Sequence, residues 1–91
     1  MEITYKNRKI GRVCTNASEA VKCHGNLMAE KIHQRIDEIT AVETIEEMLK
    51  FRIGGCHPLT GDRAGEYGMN LIHPHRLVFR MVKTKSMLCA S

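Results

Sequence analysis

Aromatic residues are scarce in this chain. It has no tryptophan, and Tyr5, Phe51, Tyr67 and Phe79 are its whole aromatic complement. That scarcity argues against a stacking platform of the kind that holds single-stranded nucleic acid. Long apolar runs are missing too: none approaches the roughly 20 residues of a membrane span. The opening "MEITYKNRK" lacks the apolar core of a signal peptide, so no membrane role is expected and the expected location is cytoplasmic. The four cysteines, Cys14, Cys23, Cys56 and Cys89, include no C-x-x-C pair. They are too sparse for a disulfide framework, and zinc ligands usually arrive in close-spaced pairs. "CH" does occur twice, at Cys23-His24 and Cys56-His57, so a zinc site assembled in space is conceivable. Reduced, semi-buried thiols with no metal and no cofactor are the preferred reading.

What is present suits one small domain spanning residues 1–91. Hydrophobic residues make up 43% and charged residues 26%, ordinary for a folded chain and unlike a disordered one. The formal net charge of +4 is compatible with a polyanionic partner without requiring one.

"EITYK" alternates apolar and polar residues, as a short half-buried strand does. "KNRKIGR" then concentrates Lys6, Arg8, Lys9 and Arg12; it reads as a solvated basic turn or as a phosphate contact. Asn16 with Glu19 forms a capping box for a helix over "ASEAVKCH", which Gly25 can end. Asn26 can cap the next helix, "LMAEKIHQRIDEI". There Met28, Ile32, Ile36 and Ile39 make one apolar stripe, with Arg35 and Glu38 off it and His33 on the surface. Thr40 or Thr44 opens a third helix through "VETIEEMLKF". After Gly54-Gly55 the period changes. "CHPL" is extended because Pro58 disfavours helix before it, "TGDRAG" is a loop, and "EYGMNLI" alternates. "HPH" turns the chain, and "RLVFRMV" returns with Leu77, Phe79 and Met81 on one face and Arg76, Val78 and Arg80 on the other. The tail "KTKSMLCAS" has only a weak strand pattern. The expected fold class is α+β: a small antiparallel sheet with an N-terminal strand and two to three helices on one face.

The polar residues of the C-terminal half converge. His57, Arg63, His73, His75, Arg76 and Arg80 fall on adjacent strands or their loops. Arg76 and Arg80 share a sheet face, roughly 13 Å apart at strand rise. Arginine grips phosphate through paired donors, and histidine moves protons near neutral pH. Such a face suits a phosphodiester, and cleavage of RNA by its own 2′-OH needs no metal. The plain alternative is that these side chains merely solvate a strand and dress a turn.

"RIGGCHPLTGDRAGEYGMNLIHPHRLVFR" resembles the plasmid-maintenance killer proteins, the HigB-like branch of the RelE/ParE toxin superfamily. A GDR loop leads there to an alternating strand and an HP-aromatic-RL-apolar-F motif; "YKNRKI", "AEKIHQRIDEI" and "CHPL" fit more loosely, so the resemblance covers about residues 3 to 80. It implies a type II toxin that cleaves mRNA on the translating ribosome. Its expected partner is a cognate antitoxin of the helix-turn-helix, HigA-like kind, with operator DNA bound only through the toxin–antitoxin complex. Carried over by position, Arg63 and Arg76 would be phosphate contacts, and Arg80 would contact the scissile region. His57 would be an acid or base and Tyr67 a positioning residue. His75 would be a further candidate, with Lys6, Arg8, Lys9, Arg12 and His73 as RNA contacts.

The chain also departs from the pattern. After GDR the family commonly continues Lys-Gly-Gln, against Ala64, Gly65 and Glu66 here. His75 stands where Tyr is usual, and the ending "MVKTKSMLCAS" lacks the acidic-Tyr-His segment of many relatives. These departures keep two alternatives open: a weakened or inactive toxin-fold protein that binds an antitoxin, and a gyrase-inhibiting toxin of the sister branch.

Overall fold

The computed structural model describes residues 1–82 and 85–90. The chain runs through β1 (Ile3–Tyr5), α1 (Arg8–Thr15), α2 (Ala17–His24), α3 (Asn26–Ala41) and α4 (Ile45–Lys50). It continues as β2 (His57–Pro58), β3 (Glu66–Asn70), β4 (Arg76–Val82) and β5 (Lys85–Ala90). Short 3₁₀ turns occupy Ile53–Gly55 and Gly61–Arg63. The strands form one sheet in the order β1-β5-β4-β3-β2. All neighbours are antiparallel except β1 and β5, which run parallel, so the sheet is mixed.

The basic segment is not a turn. Asn7 caps α1, its side chain accepting from the Ile10 amide at 2.9 Å. Ile10, Val13 and Cys14, three and four residues apart, turn inward, and Val13 and Cys14 are buried. Counting the charges hides this stripe. Asn16 and Thr44 cap α2 and α4 as expected, accepting from the amides of Glu19 and Glu47. Gly25, rather than Asn26, is the cap of α3 and supplies no side-chain bond. Ile32 and Ile39 on α3 are fully buried, with Met28 and Ile36 packed beside them.

Two polar residues of α3 are not where an exposed flank would put them. Arg35 is buried, and His33 is half-buried with Nε2 3.2 Å from the Val13 carbonyl. Since a carbonyl only accepts, Nε2 donates and ties α3 to α1.

The helices cover one face of the sheet. On that face Met69, Leu77, Phe79 and Leu88 are fully buried and share a core with Ile32, Ile39 and Met48. Register places Phe79 between Tyr67 and Leu88. The weak tail pattern therefore conceals a strand well inside the sheet: β5 joins β1 to β4. Its inward positions include Ser86, polar yet fully buried, and a register shift opposite Val78 and Phe79 interrupts its pairing near the end. Residues 83, 84 and 91 of "KTKSMLCAS" and the Cys89 thiol lie outside the described residues.

Candidate nucleic-acid site on the open sheet face

Strand parity decides which side chains can meet. Directly paired residues project to the same face, and the face away from the helices carries Glu66 opposite Arg80, Gly68 opposite Val78, and Asn70 opposite Arg76. His57 pairs with Gly68 from the other side. Gly68 is the floor of this arrangement. A methyl group built there would sit 3.2 Å from Leu59 Cδ2, 3.4 Å from Arg76 Cδ and 3.5 Å from His57 Cε1. The missing side chain thus lets an imidazole and an arginine stem approach across the strand, with Leu59 beside them. Leu59 and Val78 are both buried, giving the polar face a small apolar base. This explains why Val78, on the arginine face by parity, is not exposed.

His57 has a defined orientation. Its Nδ1 lies 2.9 Å from the Gly55 carbonyl. A carbonyl cannot donate, so Nδ1 carries the proton and Nε2 has the free lone pair. Arg76 and Arg80 are exposed. Arg63 projects from the GDR turn and donates through Nη1 to Glu66 Oε1 at 3.3 Å. Glu66 therefore stands between Arg63, which it pairs, and Arg80, its cross-strand neighbour.

The structure places His57 and Arg76 on either side of Gly68, and Glu66 links Arg63 to the Arg80 position. It does not bring Tyr67 there. Tyr67 projects to the helix side and stacks on Phe79, ring centroids 5.6 Å apart. His75 is also elsewhere, lining a cleft of about 300 Å³ with Cys23, His24, Met28, Ile32 and Leu71. His73 is exposed in the β3–β4 turn, which contains a cis His73–Pro74 bond. Lys6, Arg8, Lys9 and Arg12 are exposed on and before α1, and α1 packs on the sheet face opposite the one that carries Arg76 and Arg80. The two "CH" pairs are not joined: Cys23 is exposed and Cys56 buried. Among the described residues no three His, Cys, Asp or Glu side chains form a metal-holding group, and no helix is long and apolar enough to cross a membrane.

Sequence reasoning missed Gly68, Leu59, Asn70 and Arg35. Gly68 carried a signal, since a glycine inside an alternating strand marks a bulge or a close approach. Arg35 carried none, because its spacing fits a helix flank.

The fold is similar to that of a known toxin structure. A solved structure of a YoeB/ParE toxin from Agrobacterium tumefaciens matches with a TM-score of 0.59, covering 97% of this chain and 92% of that chain at 19% identity. No protein-family model matches the sequence, and no curated protein matches it.

Proposed function

We propose that the protein is the toxin of a type II toxin–antitoxin pair and a metal-independent endoribonuclease acting on mRNA at the ribosome. One observation carries this reading: His57 and Arg76 both approach Gly68 on an open sheet face, within a RelE/ParE-like fold. In the proposed reaction His57 Nε2 takes the proton of a ribose 2′-OH. That oxygen attacks the adjacent phosphorus, the bond to the 5′ oxygen breaks, and an acid protonates the leaving oxygen. Arg76 and Arg80 stabilise the extra negative charge on the phosphoryl oxygens, a role that removal of one donor typically exposes as a large rate loss. Lys6, Arg8, Lys9 and Arg12 form a separate basic surface suited to ribosomal RNA. The reading carries with it a HigA-like antitoxin partner and a cytoplasmic location.

The test is induced expression in a bacterium with mapping of transcript 5′ ends. New ends and growth arrest are expected. Arg76→Ala should lower cleavage by roughly 100-fold or more. Arrest with intact transcripts and trapped gyrase would instead identify a gyrase inhibitor. No arrest and no new ends would leave an antitoxin-binding module. One observation favours a weakened nuclease: Glu66 places a carboxylate against Arg63 and opposite Arg80.

A further inference from the structure

Among the described residues Arg35 is the buried charge, 8% exposed, and the catalytic scheme above does not use it. Its Nε donates to the Asn70 carbonyl at 2.6 Å, and its Nη1 donates to Glu38 Oε1 at 2.8 Å. Asn70 ends β3 directly opposite Arg76.

The Gly54–Gly55 turn is pressed onto this group. A methyl at Gly54 would come within 2.9 Å of both Arg35 Cδ and Glu38 Oε1, and one at Gly55 would collide with the Asn70 amide. Both glycines have left-handed backbone, φ 62° and 71°, so a side chain fits at neither for steric and conformational reasons alike. The turn they make aims the Gly55 carbonyl at His57 Nδ1, 2.9 Å away.

We propose that Arg35 is a positioning residue for His57. Through Asn70 and the glycine turn it holds the Gly55 carbonyl against Nδ1, which keeps the ring as the Nδ1–H tautomer and leaves Nε2 as the proton acceptor. The role of Nε2 toward ribose rests on the nuclease reading; the tautomer does not. This arrangement parallels the way a hydrogen bond to one ring nitrogen decides which nitrogen works in other histidine sites.

Two-bond ¹H–¹⁵N correlation spectra of ¹⁵N-histidine protein, at a pH where the ring is neutral, read the tautomer directly. His57→Gln assigns the signal. The wild type should show Nδ1 protonated and Nε2 bare. Arg35→Lys keeps a cation beside Glu38 but loses the guanidinium fork, so mixed tautomers are expected, with RNA cleavage reduced by roughly tenfold or more. Glu38→Gln keeps an acceptor for Arg35 and should retain the wild-type pattern. Asn70→Ala, at an exposed position, keeps the backbone carbonyl that Arg35 holds but removes the amide packed against Gly55, so it tests the link from β3 to the glycine turn, with mixed tautomers expected, if Arg35→Lys does not fold. An Nε2–H tautomer in the wild type overturns the proposal, as does an unchanged tautomer in the folded Arg35 and Asn70 variants. An Arg35-dependent Nδ1–H ring in a protein that cuts no RNA would support the positioning and overturn the nuclease reading instead.

Discussion

At the scale of single residues, Gly68 and Glu66 set what the open face can do. Gly68→Ala puts a methyl 3.2 Å from Leu59 Cδ2 and against both His57 and Arg76, so neighbours must yield by tenths of an ångström. A cleavage loss of roughly 10- to 100-fold is expected, because small misplacements of reacting groups are costly; a thermal melt should show the fold retained. Glu66→Gln acts in the opposite direction. It removes a carboxylate from the face that bears Arg80 and releases Arg63, and charge effects of about 0.5–1 kcal/mol correspond to an expected gain of a few-fold in cleavage. A primer-extension time course compares these variants with the wild type, and unchanged rates for Glu66→Gln would remove Glu66 as the brake. Thiol chemistry separates in the same local way. Burial pushes Cys14 and Cys56 up to about 11, while Cys23 is exposed. Mass mapping after brief iodoacetamide treatment at neutral pH should find Cys23 alkylated well before Cys14 or Cys56.

Elements were legible where a local rule acted alone. Capping by Asn16 and Thr44, the apolar stripe of α3 and the alternation of β3 and β4 are short-range patterns, and each survives intact in the fold. α1 was obscured because its three cations, Arg8, Lys9 and Arg12, equal in number the three residues that bury it, Ile10, Val13 and Cys14. In the structure a methyl at Gly11 would lie 3.6 Å from the Tyr5 ring, ordinary contact distance, so this helix packs closely on β1. β5 was obscured for a different reason: its burial comes from pairing with β1 and β4, which no window along the chain contains. The candidate site shows the same division. Arg76 and Arg80 followed from strand parity, whereas the neighbourhood of His57 depends on cross-strand pairing with Gly68. Parity also separates Tyr67 from that group, since one position along a strand reverses the face. Phe79, fully buried between Tyr67 and Leu88, ties these strands to the helices. Phe79→Ala should cost roughly 3–5 kcal/mol in chemical denaturation.

For the molecule as a whole, the buried thiols couple folding to alkaline pH. Their folded pKa values, about 11, exceed the ordinary 9.0. Above pH 9 the unfolded chain therefore loses protons that the folded chain retains, and stability falls as pH rises toward about 11. Burial, with the nearby Cys14 charge second, also raises Tyr5, which extends the decline. Denaturant midpoints should drop across that range, and Cys14→Ala with Cys56→Ala should flatten the drop even if both are less stable at pH 7. The place of β5 between β1 and β4 has a consequence in time. Ile3 pairs with Ser86 and Tyr5 with Leu88, so joining the first strand to the sheet closes the longest loop in the chain, while the β3–β4 hairpin closes a short one. Loop-closure entropy favours the hairpin early and the first strand late. Pulse-labelled hydrogen exchange during refolding should find amides of Tyr67 and Phe79 protected before those of β1 and its partners. The surface bearing Arg76 and Arg80 would then take shape ahead of the strand that completes the sheet.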